Sequence, residues 1–153
     1  MLILQLPILS AGEEDDKMDY IHTVQYYETD KMAITHHSNY IRWMEEARVD
    51  FLSQIGWEFA RLESMGIVSP VLGVTCDYKY PTKFSDKVSI RVSVKEFKGV
   101  KLFLEYEMKN EEGRIVCLGT TSHAFLNTEG KPIRMKQEFP ELYETLCSLQ
   151  QST

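Results

Sequence analysis

The chain has 153 residues, of which 43% are hydrophobic and 26% charged, with a formal net charge of -6. One domain of this length buries about two-thirds of the surface it exposes when unfolded, and the composition excludes a disordered or collagen-like chain. The acidic balance argues against nucleic acid, which calls for a basic surface that releases counterions from phosphates, but leaves room for a small phosphate-bearing ligand held by a few lysines.

The N-terminal run "MLILQLPILSAGEEDDKM" begins apolar and turns acidic. It lacks the positive residue that precedes the apolar stretch of a secretory signal and is too short to span a bilayer. Residues 1–17 are therefore expected to be an extension, packed on the body or on a neighbouring subunit, ahead of one domain over 18–153. "YIHTVQYY", Tyr20 to Tyr27, has the β-branched and aromatic content of a strand. From Ser38 the period changes: Met44, Ala47, Phe51 and Ile55 recur at three- and four-residue steps, as in a helix burying one stripe. Ser38 or Asn39 can supply its N-cap oxygen, and Gly56 stands where a left-handed residue ends it. A short helix follows at Glu58–Met65, stopped by Gly66.

The remainder reads mostly as strand. "VLGVTCDYKY" precedes Pro81, and "VSIRVSVKEF" alternates, with Val88, Ile90, Val92 and Val94 on one face. After a Lys98-Gly99 turn, "KLFLEYEMK" puts Leu102, Leu104, Tyr106 and Met108 on one side. Asn110 to Gly113 forms a hairpin loop, and "IVCLGTTSHAFL" is the last long strand. Such alternation marks half-buried antiparallel strands. An amphipathic helix over Glu138–Leu149 closes the chain with Phe139, Leu142, Leu146 and Leu149. One strand, a long helix and then a meander cannot make a doubly wound parallel sheet. The expected class is α+β, a curved antiparallel sheet wrapped over one face of the long helix, with exposed edges met by another subunit. Cys76, Cys117 and Cys147 form no CxxC pair, which excludes a zinc ribbon or redox motif and points to free thiols in a reducing compartment, the cytoplasm.

Titratable residues crowd one place: Asp30, His36 and His37 ahead of the helix, and Glu45, Glu46 and Arg48 on it. Asp30 after the Tyr-rich strand end, then "HHSNYIRWMEEAR", "YPTKFSDKVSI" and "GTTSHAFLNTEGKPIR", resembles the hotdog-fold acyl-CoA thioesterases related to 4-hydroxybenzoyl-CoA thioesterase. The resemblance runs from about Met18 to Met135, and the acid, His, Tyr, Glu and Arg of its first motif stand in family order. It implies hydrolysis of an acyl-CoA thioester, or of one on an acyl carrier protein. It also implies no metal or redox cofactor, with coenzyme A entering only as part of the substrate, and sites built between subunits of a homodimer or homotetramer. Asp30 matches the family's catalytic acid, His37 the residue whose backbone N–H polarises the thioester carbonyl, and Glu45 an acid that several members carry on the helix.

The chemistry agrees. A carboxylate can attack the carbonyl or activate water, and a helix start offers unpaired N–H groups and the positive end of a dipole to an oxyanion. Tyr27, Ser38, Asn39 and Tyr40 flank these groups as substrate-binding candidates. Lys83, with Lys98 and Lys101, is of the kind that meets CoA phosphates. Read without the resemblance, Glu45, Glu46 and Arg48 make a solvated helix face with one ion pair, Tyr27 and Tyr40 are packing residues, and His123 is structural. Met32 and Ala33 stand where relatives commonly have glycine after the acid, which bears on the loop's shape. Two rival readings are an acyl-thioester-binding protein without turnover and an acyl-carrier-protein thioesterase. A hotdog dehydratase fits the "TDKMAITHHSNY" motif less well.

Overall fold

A computed structural model describes residues 18–150. The expected extension over residues 1–17 lies outside the described residues. The elements in chain order are β1 (Tyr20–Thr23), a 3-10 turn (Tyr26–Glu28), α1 (Ser38–Gln54), α2 (Phe59–Ser64), β2 (Val71–Tyr78), β3 (Lys87–Phe97), β4 (Lys101–Lys109), β5 (Ile115–Ala124), α3 (Met135–Glu138) and α4 (Pro140–Leu149). The strands form one antiparallel sheet in the order β1-β3-β4-β5-β2.

α1 buries Tyr40, Trp43, Met44, Ala47, Phe51 and Leu52 against one face of that sheet, where Val88, Ile90, Val94, Leu104, Tyr106, Met108, Val116 and Cys117 wait. The closest approach is at Gly119 of β5, where any Cβ would press on Met44 and lie 3.0 Å from the carbonyl oxygen of Thr75. β4 alternates as its sequence demands, with Leu102, Leu104, Tyr106 and Met108 buried. β3 does not. A register shift between Val94 and Glu96 inserts an extra residue, so the buried positions step from Val94 to Phe97. A β-bulge of this kind bends its strand and re-aims the residues that follow; Phe97 then reaches Phe125 and Tyr143.

Three expectations need correction. The first strand stops at Thr23 because the chain turns to let Glu28 accept the Gln25 N–H, which leaves Tyr26 and Tyr27 in a 3-10 turn. The residue flanking α1 is His37, whose side chain makes no cap hydrogen bond, with Ser38 and Asn39 already inside the helix and the Ser38 N–H donating to His36 Nδ1. The final helix, expected over Glu138–Leu149, starts at Pro140 as α4, because proline suits a first helical position and drives Phe139 out of the helical region, and the short α3 precedes it.

β2 is an edge strand. Among the described residues it pairs with β5 on one side only, and Val71, Leu72, Val74 and Tyr78 are exposed. Val74 and Tyr78 sit opposite the buried Thr121 and Cys117, on the helix side of the sheet, yet both remain exposed. No helix among the described residues is long and apolar enough to cross a membrane.

Candidate active site at the start of α1

A hairpin delivers the acid. Glu28 accepts the His36 N–H at 2.8 Å, Thr29 pairs with Thr35, and the Asp30 N–H reaches the Ile34 carbonyl at 2.9 Å. Asp30 thus lies at the hairpin tip, half-buried, with Oδ1 accepting the Met32 N–H at 2.8 Å. The turn closes through Ala33 at φ 62°. This left-handed conformation costs a non-glycine residue about 1–2 kcal/mol, so the alanine bears the shape that a glycine would take freely. The second strand of the hairpin is tied to the body by the Thr35 N–H, which donates to the Thr82 carbonyl.

The hairpin runs directly into α1. The His37 N–H has no acceptor among the described residues, while its imidazole is exposed and stacked on His36 with centroids 4.2 Å apart. Ser38 Oγ meets His36 Nδ1 at 2.8 Å. Asn39 turns inward, its side-chain amide donating to the carbonyls of Glu28 at 2.9 Å and His36 at 3.2 Å. Tyr40 is core: 4% exposed, hydroxyl against Thr82 Oγ1 at 3.0 Å, with burial pushing its ionisation upward. Tyr27 is the reverse of a packing residue at 83% exposed. Lys83 is exposed on the 82–86 turn and makes no ion pair among the described residues. Lys98 is paired with Glu96 instead.

Glu45 stands about two turns into α1, in an exposed stripe between Ile41 and Val49. Its carboxylate is held by Arg48 at 2.8 Å. Arg48 is 4% exposed rather than part of a solvated face, and its guanidinium lies over the Phe59 ring. Among the described residues no hydrogen bond or ion pair joins Glu45 to Asp30. His123 is structural, as its strand position suggests. It is 1% exposed, its Nε2 meets Thr121 Oγ1 at 2.8 Å, and burial first, then Arg48, lowers its pKa to about 4, so it is uncharged at neutral pH.

Residues 24–145 match the thioesterase-like superfamily. The chain belongs to that family. Among relatives of this thioesterase, the putative acyl-CoA thioesterase YneP of Bacillus subtilis is 31% identical over 119 residues, covering 77% of this chain and 86% of its own. The DHNA-CoA thioesterase of Staphylococcus aureus superposes with a TM-score of 0.81 at 32% identity, covering 86% of this chain and 89% of that one. A gentisyl-coenzyme A thioesterase superposes with a TM-score of 0.72 at 29% identity, covering 79% of this chain and 98% of its own. The α+β hotdog fold and the thioester-hydrolase class expected from the motifs therefore hold.

Two features of this thioesterase escape a reading of the sequence. Tyr78, at the end of β2, donates its hydroxyl to the His37 carbonyl at 3.0 Å and sets its ring edge-on to those of His37 and Tyr40. Its β-branched neighbours mark a strand but say nothing about which helix the strand end meets. Glu28, two residues before Asp30, is 4% exposed and fully engaged. The only signal was an acidic residue in a segment of otherwise strand-like character.

Proposed function

We propose that this thioesterase hydrolyses acyl-CoA thioesters with Asp30 as general base or nucleophile and the His37 amide as oxyanion donor. The observation that carries this reading is the single hairpin that joins an available carboxylate to an N–H left without an acceptor at a helix start. As base, Asp30 takes a proton from water, the hydroxide adds to the carbonyl carbon, and the negative charge on oxygen is met by the His37 N–H and the helix dipole. Collapse breaks the C–S bond and the CoA thiolate leaves, taking up a proton. As nucleophile, the carboxylate adds first and water hydrolyses the resulting anhydride. A preorganised donor of this kind contributes about 3 kcal/mol to lowering the barrier. Glu45, fixed by Arg48, positions water from the exposed face of α1. Tyr27 and Lys83 meet the substrate where they project into solvent beside the hairpin. Ser38 lies at the rim, while Asn39 and Tyr40 serve by holding the helix start.

The site completes itself between two copies of the chain. The support is β2, an eight-residue edge strand whose apolar Leu72 and Val74 are exposed and whose outer hydrogen-bonding side is unpaired among the described residues. Native proteins protect such edges. Sedimentation at micromolar concentration is expected to give a dimer or tetramer, and Val74→Lys to give monomer with lost turnover. A wild-type monomer that is fully active overturns this part. A cytoplasmic setting is supported by free thiols at Cys76, Cys117 and Cys147. The direct test of function is thiol release from short, long and aromatic acyl-CoAs beside an acyl group on a carrier protein. Release from at least one CoA thioester, faster than from the carrier protein, is expected. Binding without release from every one overturns the reading, and preference for the carrier protein moves the substrate class.

A further inference from the structure

A buried polar network lies behind the catalytic hairpin and has no part in the chemistry above. The Glu28 carboxylate accepts Trp43 Nε1–H at 2.6 Å on one oxygen, and the Gln25 N–H at 2.8 Å and His22 Nε2 at 2.8 Å on the other. Burial pushes its pKa up, but the hydrogen bonds from Gln25, His22 and Trp43 outweigh that and hold it below the usual carboxylate range, so it is ionised. The other ring nitrogen of His22 meets Glu46 Oε2 at 2.9 Å, and the Tyr20 hydroxyl donates to that same oxygen at 2.9 Å. The His22 ring also packs on Trp43, centroids 4.6 Å apart. One side chain thus joins β1, the 3-10 turn and α1.

The main chain of the same residue does a second job. The Glu28 carbonyl accepts both the His36 N–H and the Asn39 side-chain amide. Glu28 is therefore fixed on its side-chain end to the middle of the domain and on its backbone end to the last residues before α1. Asp30 follows it by two residues, and His37 follows His36 directly. Apolar replacement of a buried ionic network is often neutral or stabilising, so fold stability alone does not account for a charge in this place.

We propose that Glu28 is a positioning residue: held by His22 and Trp43, it sets the Asp30 hairpin against the start of α1 so that the carboxylate and the His37 amide face one thioester. This rests on the Asp30–His37 reading above. The test uses the full chain with Glu28→Gln, in which an amide N–H must face one of three donors, and with Trp43→Phe, which removes one donor and keeps a ring, so that a folded variant is available if the first fails to fold. For each, kcat and KM for an acyl-CoA are measured together with hydrogen exchange at the His36 amide.

The expected result for Glu28→Gln is a fall in kcat of at least about tenfold with KM within about threefold, the pattern of an interaction lost in the transition state rather than in binding. His36 is expected to lose at least about tenfold of its protection. Trp43→Phe shifts both in the same direction by less. Glu28→Met separates positioning from folding: its melting temperature is expected to match or exceed that of wild type while kcat falls as far as in Glu28→Gln. Unchanged His36 protection in every folded variant overturns the positioning role, whatever the rates do. Lost protection with an unchanged kcat leaves the network's grip on the hairpin intact and overturns the Asp30–His37 assignment instead.

Discussion

Asp30→Asn is expected to lower kcat for acyl-CoA hydrolysis by about a hundredfold to ten-thousandfold, the usual contribution of a positioned base. At the lower end this is about 2.7 kcal/mol of barrier. The substitution isolates the charge. Asparagine keeps the oxygen that accepts the Met32 N–H, so the hairpin's own bond is preserved, and the remaining hairpin contacts are backbone to backbone. Melting temperature and KM should therefore stay close to wild type while turnover collapses. Steady-state thiol release at saturating substrate, with a thermal melt on the same sample, measures both. Retention of more than about a third of wild-type kcat in a folded variant sinks the catalytic role of Asp30, far outside what a base of this kind contributes.

The second large effect concerns stability. Gly119→Ala places a methyl group where α1 rests on β5, against Met44 and within 3.0 Å of the Thr75 carbonyl oxygen. The Met44 tip can swing aside, but the Thr75 backbone is held by its pairing with Thr120 of β5. Overpacking of this kind costs about 1–3 kcal/mol, and at about 2–4 °C per kcal/mol for a chain of this size the melt should fall by several degrees. Met44→Ala is destabilising by itself because Met44 is 1% exposed. Since the two side chains compete for one space, the double variant should lose less than the sum of the single variants. Strict additivity, at fixed protein concentration, would show that the helix does not lean on Gly119.

How much of this was legible follows from the range of the forces involved. α1 could be read because Met44, Ala47 and Phe51 obey a local period, and β4 because Leu102 to Met108 alternate without interruption. Asp30 and His37 were singled out by a local motif, and the fold places them on one hairpin that leads into α1. What failed was what depends on partners distant in sequence. The bulge after Val94 is set by the register with β4, not by any residue inside β3. Arg48 reads as a surface charge until Phe59 and the sheet close over it. Glu28 looks like another solvent-facing acid, and only the fold reveals that His22, Gln25 and Trp43 surround it. The short α3 was missed because four residues are too few to show a period, whereas the start of the last helix was visible in principle, since proline suits a first helical position.

The bond from the Tyr78 hydroxyl to the His37 carbonyl links two regions that sequence keeps far apart. Tyr78 ends β2, the last strand of the sheet order, and His37 stands directly ahead of α1. One phenol thus ties the end of an edge strand to the residue that opens α1, so the strand end cannot shift without moving His37 or giving up that contact.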